Sequence, residues 1–333
     1  MQTFPKRVAA IDVGSNAIRF LGAELLHPER YAVLEQIRTP VRLGHEVFQS
    51  GCLDAAVMDA AVATLVSYRE RIDALAIVHY RAVATSAVRE SANGDAFIAR
   101  VHDEAGIVLE PITGAEEARL VHQAVRNRIE LGGSRWLLVD LGGGSVEISV
   151  ADQARVRWSV SHPIGAVRLL EELAVEGDDL GRFRRRVETA IAPLRVPAPG
   201  GLCGFIATGG NSEALARLTD ARQDERGVSR MSLASVRAVI ETLSAMPIAQ
   251  RVERLGLRED RADVILPAAV VYERLCARAG FDTILVPHVG VRDGLVLDLA
   301  DELAQHTTHA RRQDELVWAA AHALGRRYRF DRA

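Results

Sequence analysis

Leu137-Leu138-Val139-Asp140-Leu141-Gly142-Gly143-Gly144-Ser145-Val146-Glu147-Ile148-Ser149-Val150 is two short apolar runs around a glycine triplet. The runs are rich in Leu, Val and Ile and too short for helices, so they read as strands. The glycines between them leave the backbone uncovered and free to turn. Successive N–H groups in such a turn can converge on one anion. Asp140 ends the first strand beside that nest. Glu147 follows on the second strand, where it either points back to the loop mouth or sits on the strand's solvent face. The unit is a strand–turn–strand phosphate loop, unlike the strand–turn–helix loops of other nucleotide-binding folds.

The pattern has an earlier copy. Val8 to Ile11, Asp12, a Gly14-Ser15-Asn16 turn and the run from Ile18 to Leu21 repeat it, with Asp12 and Asp140 separated by 128 positions. That spacing is the length of one domain. A third glycine turn, Thr208-Gly209-Gly210-Asn211, follows an apolar stretch from Leu202 to Ile206. An Asp-Gly hairpin opening each of two domains and a later Gly-Gly turn form the arrangement of the actin-like ATPase (ribonuclease H-like) fold. The expected architecture is therefore α/β: two such domains with an active-site cleft between them. Residues 1–128 with 300–333 are expected to make domain I and residues 129–299 domain II.

Strands alternate with helices along the chain, as an α/β fold requires. In the first half, Tyr31–Ile37, Leu75–Val83 and Val108–Ile112 read as strands. Asp54–Asp73 (Asp54 as N-cap), Asp95–Ala105 and Thr113 to about Ile129 read as helices. In the second half Arg155–Ser161 completes a meander. Helices are expected from Ile164, over Gly181–Ala192, Glu213–Leu218, Leu233–Ala245 and Pro247–Leu255, and over Ala262–Ala279. Thr283–Pro287 reads as a strand and Val289–Leu295 as a glycine turn.

Composition bounds the function. The chain has 333 residues, is 48% hydrophobic and carries a net charge of −3, so it has a core for two domains and no field attracting nucleic acid or membrane. No apolar run reaches ~18 residues and the N-terminus lacks a signal-peptide core, so a cytoplasmic protein is expected. Cys52, Cys203 and Cys276 are scattered and odd in number, which reads as small buried thiols rather than a disulfide frame. Of the 41 basic residues, Lys6 is the sole lysine. It precedes the first strand, which excludes a Walker P-loop. Any basic phosphate contact must come from arginine, with its planar fork.

Phosphoryl transfer needs positioning and charge neutralisation. The nest at Gly142, Gly143, Gly144 and Ser145 can hold phosphate oxygens, with Gly14, Ser15 and Asn16 facing it and Gly209 in the third turn. Asp12, Asp140 and Glu147 are hard oxygen donors suited to Mg²⁺ or another divalent cation.

Six segments, in order, carry a family resemblance: Asp12–Asn16, Ala84-Thr85 with Arg89, Gly114-Ala115-Glu116-Glu117-Ala118-Arg119, Asp140 to Glu147, Gly165-Ala166-Val167-Arg168, and Thr208-Gly209-Gly210. Together they resemble the exopolyphosphatase/guanosine pentaphosphate phosphohydrolase (Ppx/GppA) family from residue 8 to about 300. The Gly-x-Glu-Glu-Ala-Arg segment separates these phosphatases from kinases and chaperones of the same fold. The resemblance implies that Glu117 is the general base activating water, that Asp140 and Glu147 hold the metal, and that Arg89 and Arg19 bind phosphoryl oxygens. From the residues alone, Glu116 and Glu117 also suit the positive end of a helix, and Arg19 suits a strand surface. The implied substrate is inorganic polyphosphate or guanosine pentaphosphate, with Arg89, Arg168 and Arg261 near the cleft. A homodimer is left open. A nucleotide-dependent kinase of the same fold would need an acceptor base and an adenosine pocket, and a non-catalytic polyphosphate binder would lack the base. Ala17 replaces a common hydroxyl in the first loop. Arg184-Arg185-Arg186 reads as a solvated helix face or an extension of a polyanion track. Glu315–Phe330 resembles the first helix of an extra helical domain in long members, and His306 and His309 read as solvated.

Overall fold

A computed structural model describes residues 4–174, 180–193 and 200–305. Two mixed sheets organise these residues. The first contains β1 (Lys6–Val13), β2 (Ile18–His27), β3 (Arg30–Thr39), β4 (His79–Ala84) and β5 (Leu109–Pro111), in the order β3-β2-β1-β4-β5. The second contains β6 (Arg135–Leu141), β7 (Val146–Ala151), β8 (Val156–His162), β9 (Leu202–Thr208), β10 (Ser229–Ser232) and β11 (Thr283–Val286), in the order β10-β11-β9-β6-β7-β8. Both start with an antiparallel three-strand meander, to whose first strand β4 or β9 adds in parallel. The second sheet thus repeats the first, with β10 added antiparallel at its edge.

The central strands are apolar on both faces because both are covered. Ala9, Ile11 and Val13 of β1 enter a cluster with the helix Ala55–Ala74, while Val8 and Ala10 enter another. On β6, Leu137, Val139 and Leu141 face the second sheet's own core, and Leu138 faces the opposite way. The cluster holding Val8, Ala10 and Leu138 is shared by the sheets. It is completed by Leu120, Val121 and Val125 of the helix Gly114–Arg128 and by Leu295, Val296 and Leu299 of a helix beginning at residue 291. These two helices lie between the sheets and set their mutual position.

Val289–Leu295 is therefore not a turn throughout. The loop ends at Gly290, and Gly294 lies inside the helix, where a Cβ would come 2.1 Å from the Leu120 carbonyl oxygen. The glycine allows two backbones to touch rather than marking a bend. Because the obstacle is backbone, Gly294→Ala is expected to destabilise the protein by about 1–3 kcal/mol, read as a lower midpoint in denaturant with an unchanged slope. A parental midpoint would contradict that contact.

The remaining elements follow the sequence closely. Asp54 accepts from the amides of Ala56 and Val57 and caps its helix. The strand expected from Leu75 starts at His79, because Leu75 caps the preceding helix and Ala76 takes a positive φ of 52°. β10, with only Ser229 and Met231 buried, offered too little apolar signal to be expected. The thiol expectation holds for Cys276 alone: Cys52 and Cys203 are exposed. Among the described residues no helix is long and apolar enough to cross a membrane. The tail helix expected over Glu315–Phe330 and the pair His306/His309 lie outside the described residues.

Candidate active site

The three glycine turns meet at a cavity of about 710 Å³ between the sheets. The first two turns touch: a Cβ on Gly143 would come 2.8 Å from the Ser15 Cβ. Gly209, at φ +91°, lies against the Leu141 carbonyl and the Asp140 carboxylate, where a side chain would collide. The carbonyls of Gly142 and Gly143 turn away to accept from Ala166, Val167 and Arg168 at the start of the helix Ala166–Ala174. That leaves the amides of Gly143, Gly144 and Ser145 without an acceptor among the described residues, the orientation an anion nest requires. Ser15 shares a 3.1 Å hydrogen bond with Ser86, joining the first turn to the helix Ser86–Arg89.

Pairing across the hairpins sorts the acidic residues. In the first hairpin Asp12 lies opposite Arg19, and the guanidinium donates to the carboxylate at 2.8 Å. The same position in the second hairpin sets Asp140 opposite Glu147. Two like charges directly across a ladder are unfavourable. Asp140 accepts from Thr208 Oγ1 at 2.8 Å, and Glu147 Oε1 accepts from Ser161 Oγ at 2.8 Å. Glu147 Oε2 is buried with no partner among the described residues. Burial raises both carboxyl groups above the ordinary range; Asp12 adds to the effect on Asp140, and Asp140 to that on Glu147.

Glu117 lines the cavity and is 5% exposed. Thr113 caps its helix by accepting from the Glu116 amide. The adjacent glutamates then diverge. Glu116 points into a surface network with Arg81, Arg119 and Asp298. Glu117 turns inward and accepts from Arg89 Nη1 at 2.8 Å. Its carboxyl is held well above the usual glutamate range by burial first and by the charges of Glu147 and Asp140, against the opposing pull of Arg89.

Glu117, Asp12, Asp140, Gly14, Ser15, Asn16, Arg19, Gly142, Gly143, Ser145 and Gly209 all line this cavity, and Glu147 lies just behind it. Gly144, Arg89 and Arg168 do not line it: Gly144 packs against the Phe48 ring and Ser86, Arg89 is drawn to Glu117 and the Ile112 carbonyl, and Arg168 to groups behind the second turn. No group of three or more His, Cys, Asp or Glu side chains among the described residues is gathered to hold an ion. Asp12 is occupied by Arg19, and the pair Asp140/Glu147 retains unneutralised acid. Two carboxylates and open phosphate positions are what Mg²⁺ uses, since it keeps waters and substrate oxygens as ligands; the pair fits such an ion.

Among the described residues six arginines line the cavity: Arg19, Arg38, Arg217, Arg258, Arg261 and Arg292. Arg261 is buried, donates to Asn211 Oδ1, and has its pKa lowered by burial and by Arg19 and Arg38 beside it. Arg38 pairs with Asp260, Arg42 with Asp263 at 2.7 Å, and Asn16 donates to the Asp260 carbonyl at 2.9 Å. The two bonds to Asp260 tie β3 and the first turn to the segment Glu259–Ala262, and the Arg42–Asp263 pair ties the loop after β3 to the residue that follows that segment. Sequence reasoning missed Arg38 because it lies outside any glycine turn. A usable signal exists: Gln36 and Arg38 are polar at i and i+2 and both line the cavity.

A family model for the Ppx/GppA phosphatase family matches residues 26–303. The chain belongs to the Ppx/GppA phosphatase family. Exopolyphosphatase 2 of Mycobacterium tuberculosis is 35% identical over 88% of this chain and 98% of its own length. The crystal structure of an exopolyphosphatase from Cytophaga hutchinsonii superposes with a TM-score of 0.82 at 26% identity, covering 89% of this chain and 98% of that one. A guanosine-5′-triphosphate,3′-diphosphate pyrophosphatase of Vibrio campbellii is 26% identical over 91% of this chain and 61% of its own length. Among Ppx/GppA members, then, this chain has similarity to both named activities and the two-domain actin-like fold.

Proposed function

We propose that this Ppx/GppA phosphatase is an exopolyphosphatase, releasing the terminal phosphoryl group of inorganic polyphosphate with Glu117 as general base. The observation that carries the substrate assignment is the set of six arginines that, among the described residues, line the same cavity as the phosphate turns. A polyanion needs repeated cationic contacts. Among the described residues no Phe, Tyr or Trp lines the cavity, so none of them offers a guanine a ring to stack on. In this reading domain I is residues 1–128 with the returning segment from 300, and domain II is 129–299.

The terminal phosphate would lie against the amides of Gly143, Gly144 and Ser145, with Arg19 and Arg261 facing the next phosphates. Glu117 takes a proton from a water whose oxygen attacks the terminal phosphorus. The bridging P–O bond breaks and the shortened chain leaves with the electron pair. Asp140 and Glu147 would hold Mg²⁺, which supplies charge neutralisation at the phosphoryl oxygens. Arg89, which donates to Glu117 at 2.8 Å, would turn to the incoming phosphate in this reading, leaving the carboxylate to the water.

Affinity is expected to rise with chain length over short polyphosphates and then level off, because the arginines occupy one bounded cavity. It is also expected to fall steeply with salt, since the contacts are charge on charge. KM measured on size-graded polyphosphates at two ionic strengths checks both. Affinity independent of chain length from the shortest substrate would remove the arginines from substrate binding.

A further inference from the structure

Arg168 stands among the residues that resemble the family, yet it does not face the cavity. It starts from the helix Ala166–Ala174, behind the second glycine turn. Its Nε donates to the Gly144 carbonyl at 2.9 Å, and its Nη2 pairs with Glu90 at 2.6 Å. Its guanidinium carbon lies 4.0 Å from the centroid of the Phe48 ring. Phe48 itself fills the space a Gly144 side chain would need: a Cβ there would come 2.2 Å from the ring. Gly144 and Arg168 belong with the second sheet; Phe48 and Glu90 come from the chain around the first. One planar group therefore holds the phosphate turn to the opposite wall.

Glu90 extends the connection. It follows the helix Ser86–Arg89, and Arg89 lies 3.8 Å from it. Arg89 in turn donates to Glu117. Gly144, Arg168, Glu90, Arg89 and Glu117 thus form one chain of contacts from the phosphate turn to the base. The Arg168–Glu90 pair alone would count for little, with the Glu90 side chain 38% exposed. Its weight comes from the shared guanidinium: the fork, the ring contact and the carbonyl bond fix one orientation, which a lysine could not reproduce.

We propose that Arg168 and Glu90 are positioning residues that register the phosphate turn against Arg89 and Glu117. The catalytic part of this proposal rests on the phosphatase reading above; the coupling part does not. Arg168→Met, Glu90→Gln and the double variant are to be compared with the parent on polyphosphate, far below the melting temperature. Each single variant is expected to lower kcat by about 10-fold or more with KM changed less than about threefold, the double being no worse than the poorer single because they act as a unit. Arg168→Lys is expected not to restore kcat.

Hydrogen exchange on the substrate-free protein supplies the second readout. In either single variant, protection is expected to fall at the hydrogen-bonded amides of Gly142 and 166–168, which hold the phosphate turn, and at 89–90. Exchange at Gly142 and 166–168 untouched by Glu90→Gln overturns the coupling, whatever the substrate is. A lower melting temperature with unchanged kcat reduces both residues to structural roles and overturns the proposal. A raised KM with unchanged kcat makes Arg168 a substrate ligand and also overturns it. Should the parent release no phosphate while the exchange result holds, the polyphosphate reading fails and the coupling stands.

Discussion

Glu117→Gln is expected to lower turnover of polyphosphate by about 10²–10⁴ while leaving substrate affinity near the parental value. The amide keeps the shape and the contact with Arg89 but cannot take the proton. Glu116→Gln is expected to change turnover by less than about threefold, because Glu116 belongs to the surface pairs with Arg81 and Arg119. The sign of the pH effects follows from burial. Glu117 must be ionised to act, and burial raises its pKa, with Glu147 and Asp140 adding to the rise. Activity should therefore climb with pH through a value above the ordinary glutamate range. The folded chain binds more protons at this site than the unfolded chain across that window, so the site costs stability as pH rises. Glu117→Gln should thus melt higher than the parent at about pH 8 and lose the advantage towards about pH 4. Near-parental activity in Glu117→Gln with activity lost in Glu116→Gln would assign the base to the other carboxylate.

Asp140→Asn and Glu147→Gln are expected each to abolish activity or to raise the Mg²⁺ concentration for half-maximal rate by about tenfold or more. The motive is the ladder pair itself: the cavity-lining Asp140 faces the buried Glu147, which keeps an oxygen unpartnered among the described residues. By contrast the equivalent Asp12 is neutralised by Arg19 within the first hairpin, so Asp12→Asn should alter the Mg²⁺ requirement less than either. Mg²⁺ titrations of the three variants check this. Curves matching the parent for both Asp140→Asn and Glu147→Gln would remove the metal role from the pair.

Much of this was legible in the residues because local chemistry carried it. A glycine turn between apolar runs announces exposed amides, and the recurrence of the Asp-and-glycine-turn pattern announced a repeated sheet. Asp54 caps its helix as its side chain predicts. What escaped were features set by distant partners. Whether a glycine eases a turn or a backbone contact is invisible locally: Gly294 sits in a helix because Leu120 crosses it. Arg168 and Arg261 look alike in sequence, yet Phe48, Glu90 and Gly144 draw one out of the cleft while Asn211 holds the other in it. Ser161, which holds Glu147, carries no signal of its own beyond lying on the neighbouring strand.

The most direct test of the central claim is phosphate release from long-chain polyphosphate and from guanosine pentaphosphate, side by side, with and without Mg²⁺. The account predicts Mg²⁺-dependent release from polyphosphate, faster than from guanosine pentaphosphate and lost in Glu117→Gln. Rapid turnover of guanosine pentaphosphate with none of polyphosphate would contradict it.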